Sequence, residues 1–138
     1  MQKHTLNIDK SKEVAQRCKK QLEIKMCYNN VFKVVTTYID NFHNGKWKVA
    51  YGYMTIFENL LCRHCFIIDE NNNVIDPTLA IRENVDTEYY AMKVFDDINE
   101  YFSAISNEKY FPALTRYLRE NDKQAYKWGE INGFILIG

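Results

Sequence analysis

The pattern of hydrophobic and polar positions is helical from Asp9 to Asn44 and strand-like after Gly45. Val14, Cys18 and Leu22 repeat at helical spacing with Lys and Arg on the other face, and Asp9 or Ser11 is placed to cap the first turn. A second stripe runs through Val31, Val34, Val35, Tyr38 and Phe42 and ends at Asn44-Gly45. No Gly or Pro separates the two stripes. Their phase shifts near residues 25–30, where Asn29 and Asn30 favour a helix start over an interior, so two helices are expected with Cys27 in the break.

After Gly45, Trp47, Val49, Tyr51 and Tyr53 alternate with Lys48, Ala50, Gly52 and Met54, the period of a strand. A bend through Glu58 and Asn59 leads to a β-hairpin. Its parts are an apolar run from Cys62 to Ile68, a polar turn from Asp69 to Asn73, and a second strand from Asn73 to Asp76 that Pro77 stops. Glu88 to Phe95 reads as a further strand, and Asp96 or Asp97 caps a helix through Ile105. Pro112 fits the first turn of a helix to about Trp128; Gly129 and Gly133 punctuate its end, and Phe134 to Ile137 forms a short closing strand. Met1 to Ile8 carry no pattern. The expected fold class is α+β, in one domain over residues 1–138.

Composition narrows the function classes. Hydrophobic residues make up 46% of the 138 residues and aromatics 14%, enough for a packed core. Eighteen Lys and Arg balance eighteen Asp and Glu, so no basic excess exists to hold a phosphate backbone, and nucleic acid is not an expected partner. No apolar run approaches the roughly 20 residues that span a bilayer, and the first residues lack the apolar stretch of a signal peptide. The expected compartment is the cytoplasm, with the four cysteines as thiols. Abundant Lys, Asn, Ile, Tyr and Phe, whose codons are AT-rich, point to a bacterium or its phage.

The candidate chemistry is that of a thiol. If the hairpin closes around Asn71 and Asn72, residues whose numbers sum to about 143 lie opposite one another, and His64 faces the region just beyond Asp76. An imidazole held by a carboxylate on a neighbouring strand is what activates a thiol. His4 lies in the patternless terminus as a solvated side chain, and His43 ends the second helix, sixteen residues or roughly 24 Å from Cys27. Among the thiols, Cys18 sits in an apolar stripe, Cys65 points to the face opposite His64, and Cys62 shares that face without an activating dipole. Cys27, at a helix N-terminus, gains unsatisfied N–H groups and the macrodipole. A competing reading takes Cys62, His64 and Cys65 as a C-x-H-C zinc cluster, but strand side chains diverge and no second ligand pair follows. Trp47, Tyr51, Tyr53 and Tyr28 are either groove-lining or ordinary packing residues.

The order Cys27, His64, then Asp76 in D-P-T resembles the transglutaminase-like branch of the papain-like cysteine-peptidase superfamily. The matching pieces are C-Y-N-N-V-F-K-V, V-A-Y-G-Y, R-H-C-F-I-I-D and N-V-I-D-P-T, between about Gln21 and Thr78. The resemblance implies a papain-like core in which the helix opened by the cysteine packs on an antiparallel sheet. It implies Cys27 as nucleophile, His64 as general base and then acid, and Asp76 as the group that holds the imidazole tautomer. Gln21, six residues before Cys27, has the offset of the oxyanion glutamine of papain-like peptidases; a solvent-facing Gln21 on a helix fits the same position. The implied function is thiol-dependent acyl transfer from amide bonds of a peptide or protein, as peptidase, deamidase or transamidase, without cofactor or metal. The small transglutaminase-like leader peptidases of ribosomal peptides share its size and motif order. The alternative is an inactive papain-like fold that binds or inhibits a protein partner.

Overall fold

The computed structural model describes residues 1–82, 87–109 and 111–138. In chain order the elements are β1 (Gln2–His4), α1 (Ile8–Arg17), α2 (Cys27–Thr37), α3 (Ile39–His43), β2 (Lys48–Phe57), β3 (Leu60–Ile68), β4 (Val74–Ile75), α4 (Pro77–Arg82), β5 (Tyr89–Phe95), α5 (Ile98–Asn107), α6 (Arg119–Asn132) and β6 (Ile135–Ile137). The chain is thus α+β, with one six-stranded sheet among the described residues. Among those residues, no helix is long and apolar enough to cross a membrane.

The sheet runs β1-β5-β2-β3-β4, antiparallel throughout, with β6 added parallel to β3. Residues 5–7, directly after β1, bond to Val74 of β4 through Val74 N–H to Thr5 C=O and Asn7 N–H to Val74 C=O, both 2.8 Å. The N-terminal segment therefore touches both ends of the strand order, and the sheet curls back on itself. That pairing buries His4, whose Nδ1 bonds the Asn72 carbonyl at 2.8 Å. The solvated terminus expected for His4 is corrected accordingly: backbone pairing with β5 needs no hydrophobic pattern to announce it.

The helix starts follow local chemistry. Asn7 caps α1 by accepting from the Lys10 N–H, ahead of the Asp9 or Ser11 expected there, while the Ser11 hydroxyl bonds the Asn7 carbonyl. Asp97 caps α5 as anticipated. The second apolar stripe breaks at Tyr38 into α2 and α3; the hydroxyls of Thr36 and Thr37 both bond the Lys33 carbonyl, a back-bonding that loosens a helix end.

β2 is buried on both faces, so Tyr51 and Tyr53 are fully buried and Trp47 nearly so. These aromatics are packing residues, not the lining of a substrate groove. Gly52, paired with His64, is required by the close approach of β5: a Cβ there would lie 1.9 Å from the Tyr90 carbonyl oxygen. The helix expected from Pro112 to about Trp128 starts later, at Arg119, and runs to Asn132. Residues 111–118 are turns in which Leu114, fully buried, takes φ +52, and the Tyr51 hydroxyl donates to the Pro112 carbonyl. Burying Leu114 outweighs helix propensity, and α6 starts only at Arg119.

Candidate active site

The outer edge of β3 is shared. β6 pairs with Leu60–Cys62 and β4 with Ile67–Ile68, so neither strand covers residues 63–66. Side chains alternate there. Cys65 joins the core beneath α2 with Tyr51 and Val31, whereas His64 stacks beside Phe66 and Tyr89 on the other face. At this edge the N-terminus of α2 comes beside the imidazole, and Cys27, its first residue, interacts with it electrostatically.

Cys27 is the first residue of α2, and Met26 before it offers no side-chain cap. Among the described residues the backbone N–H groups of Cys27, Tyr28 and Asn29 have no backbone partner, which leaves a positive helix terminus at the sulfur. The segment that delivers Cys27 is held by Asn30. Its Oδ1 accepts from the Glu23 N–H at 2.9 Å, and its Nδ2 donates to the Glu23 carbonyl at 2.6 Å and to the Thr78 hydroxyl at 3.0 Å. Asn30 is fully buried on the same stripe as Cys27, Val31 and Val34.

His64 Nε2 lies 2.8 Å from Asp76 Oδ2, which leaves Nδ1 outside that bond. Asp76 is fully buried and saturated: Oδ2 also accepts the Tyr89 hydroxyl at 2.7 Å, and Oδ1 accepts the N–H groups of Thr78 and Leu79 at 3.0 and 3.1 Å. The last two bonds cap α4 and explain why Pro77 ends the strand and begins a helix. The Asp76 N–H donates to the Ser11 hydroxyl at 2.9 Å, tying the turn to α1.

Electrostatics follow from this packing. Burial disfavours a charged imidazole, but the charge and hydrogen bond of Asp76, helped by the nearby Cys27, outweigh it and push the His64 pKa up to about 10. Burial also opposes charge on Asp76; His64, Tyr89 and the Leu79 N–H nevertheless hold its carboxyl below the usual carboxylate range. Cys65 is a contrasting thiol, pushed well up by burial.

Of the four candidate residues, three converge: Cys27, His64 and Asp76. Gln21 lies in the turn after α1, with its side chain exposed. Its backbone carbonyl accepts from Lys33 Nζ, six residues and about 9 Å along α2 from Cys27. Among the described residues no hydrogen bond joins its amide to the pair, because α1 stops at Arg17 and the chain after it no longer follows a helix. Cys62 and Cys65 diverge across the strand, and among the described residues no cluster of three or more His, Cys, Asp or Glu side chains is set to hold a metal. Sequence reasoning missed Asn30 and Tyr89. For Asn30 a signal existed, a polar residue at an apolar-stripe position; for Tyr89 none did, since its partner is thirteen residues away across the sheet. Comparison of the chain with protein-family models, with curated proteins and with solved structures gave no match in any of the three.

Proposed function

We propose that the protein is a cysteine-nucleophile enzyme of acyl transfer from amide bonds of peptides or proteins, built on a papain-like core of the transglutaminase-like kind. The observation that carries this reading is one imidazole bonded to a buried, saturated carboxylate and lying beside a thiol at an uncapped helix N-terminus. The order of elements supports the core: cysteine helix, intervening strand, histidine strand, acid at the end of the next strand.

In the proposed reaction Cys27 attacks the amide carbonyl carbon as the thiolate, its proton already on His64, and the oxyanion forms beside the unpaired N–H groups of the first turn of α2. His64, a cation at neutral pH through its raised pKa, gives its proton to the departing amine nitrogen as the C–N bond breaks, leaving a thioester on Cys27. Neutral His64 then takes a proton from the incoming water or amine, which displaces the sulfur. Asp76 fixes the ring with Nε2–H inward and compensates the imidazolium. Water as acceptor gives hydrolysis, and an amine gives transamidation.

Iodoacetamide alkylation followed against pH and mapped by mass spectrometry tests the reading. Cys27 is expected to label selectively, ahead of the half-buried Cys62, and to lose that selectivity in His64→Ala. Slow labelling of Cys27 that ignores the His64 substitution would overturn the proposal. Asp76→Asn is expected to keep the fold and lower turnover by roughly 100-fold or more.

A further inference from the structure

Asp76 Oδ2 serves two donors at once, His64 Nε2 at 2.8 Å and the Tyr89 hydroxyl at 2.7 Å. Tyr89 is fully buried at the start of β5, and its ring lies 6.2 Å from the imidazole and 5.1 Å from Phe66, so its hydroxyl is aimed by packing on a rigid strand. A hydroxyl placed only for its own satisfaction has no need of this oxygen. One placed on the oxygen that holds the imidazole competes for the same electron density.

We infer that Tyr89 is a positioning residue of the site: by donating to the Asp76 oxygen that binds His64, it limits the pull of the carboxylate on the imidazole proton and keeps His64 able to release that proton to a leaving group. The inference rests on the acyl-transfer reading for its consequence, but not for its geometry. A carboxylate with four hydrogen bonds is a weaker base than one with three. Among the described residues, the titratable groups around His64 are Asp76 at the start of α4, Cys27 on α2, Tyr89 on β5, Cys62 two residues away on the same face of β3, and Cys65 on the far face. Of these, Tyr89 alone acts on the imidazole through Asp76 by a hydrogen bond of its own to the carboxylate. Removing its hydroxyl leaves Asp76 more basic, and the His64 midpoint moves further up.

The test is a nitrogen-15 NMR titration of the His64 ring in the full chain, wild type against Tyr89→Phe, each also in a Cys27→Ala background. The expected result is an upward shift of roughly half a pH unit or more in both backgrounds. Site-specific 3-fluorotyrosine at position 89, a stronger donor, is expected to move the midpoint the opposite way, and it serves also if Tyr89→Phe does not fold. An unmoved midpoint in folded Tyr89→Phe, or a fluorotyrosine shift in the same direction as the Phe variant, overturns the inference. Failure of the enzyme reading shows separately, as Cys27 alkylation indifferent to His64. The Cys27→Ala titrations do not depend on that outcome.

Discussion

Arg63 and His64 are neighbours on β3, point to opposite faces of the sheet, and each meets an aspartate: Asp122 at 3.3 Å from Arg63 Nε, and Asp76 at 2.8 Å from His64 Nε2. The Asp76 side is closed. Its carboxylate is 0% exposed, and both oxygens are saturated by an imidazole, a phenol and two backbone N–H groups. The Asp122 side is open. Asp122 is 19% exposed, its Oδ1 also accepts from Tyr53 at 2.8 Å, and Arg63 Nε and Nη2 have no aligned acceptor. Arg63 is held instead by the Tyr28 hydroxyl at 3.3 Å and by the face of that ring. A charge pair that must keep one proton in one place needs every competing partner assigned; one that only joins a helix to a sheet does not.

The sharpest break in this contrast is Asp76→Ala. It strands the imidazole, the Tyr89 hydroxyl and the Thr78 and Leu79 N–H groups, and urea unfolding is expected to show a loss of about 3–5 kcal/mol. The same pair sets a pH profile of stability. The folded pKa of His64 is raised, so its contribution is present in full below its ordinary 6.5, declines as pH rises, and is gone above about 10. The folded pKa of Asp76 is lowered, so its contribution is present above its ordinary 3.8 and lost as pH falls through the folded value. Thermal unfolding from pH 3 to 11 is expected to show both limbs in wild type, and the alkaline limb to flatten in Asp76→Asn.

A smaller effect is expected at Asn30, which belongs to the closed side without touching the triad. Asn30→Ala frees the Glu23 N–H and carbonyl and the Thr78 hydroxyl, for about 2 kcal/mol, and slows Cys27 alkylation because the first turn of α2 is no longer tied to the Asp76 turn. Smallest is the open side. Arg63→Met with Asp122→Asn, which keeps an acceptor for Tyr53, is expected to stay within about 1 kcal/mol of wild type and to leave Cys27 labelling unchanged. A large loss there would make the two sides alike.

Much of this could be read locally. The phase shift of the apolar stripes and the paired asparagines mark a break over residues 25–30, within which α2 starts at Cys27, and the hairpin register is met within one residue, with Ile67 opposite Ile75 and Ile68 opposite Val74. That register carries His64 to Asp76, because a hairpin's pairing is set by its own turn: Asp69 Oδ1 accepts the N–H groups of Asn71 and Asn73, and Asn72 takes φ +62. Gly129 does not punctuate the helix end. It lies inside α6, where a Cβ would come 2.5 Å from Leu136 Cδ1, so its reason is close packing on β6.

The sequence by itself determined which segments are helix and strand around the site, and that one imidazole, one thiol and one carboxylate are available to meet, since periodicity, caps and turns act over a few residues. Tertiary structure alone decided that the thiol comes to the uncovered edge of β3, that Asn30 steadies the chain before Cys27, that Tyr89 shares the Asp76 oxygen, and that His4 is buried. Those contacts join residues 7 to 68 apart in the chain, and no local pattern specifies which distant partner satisfies a polar group once the sheet has closed around it.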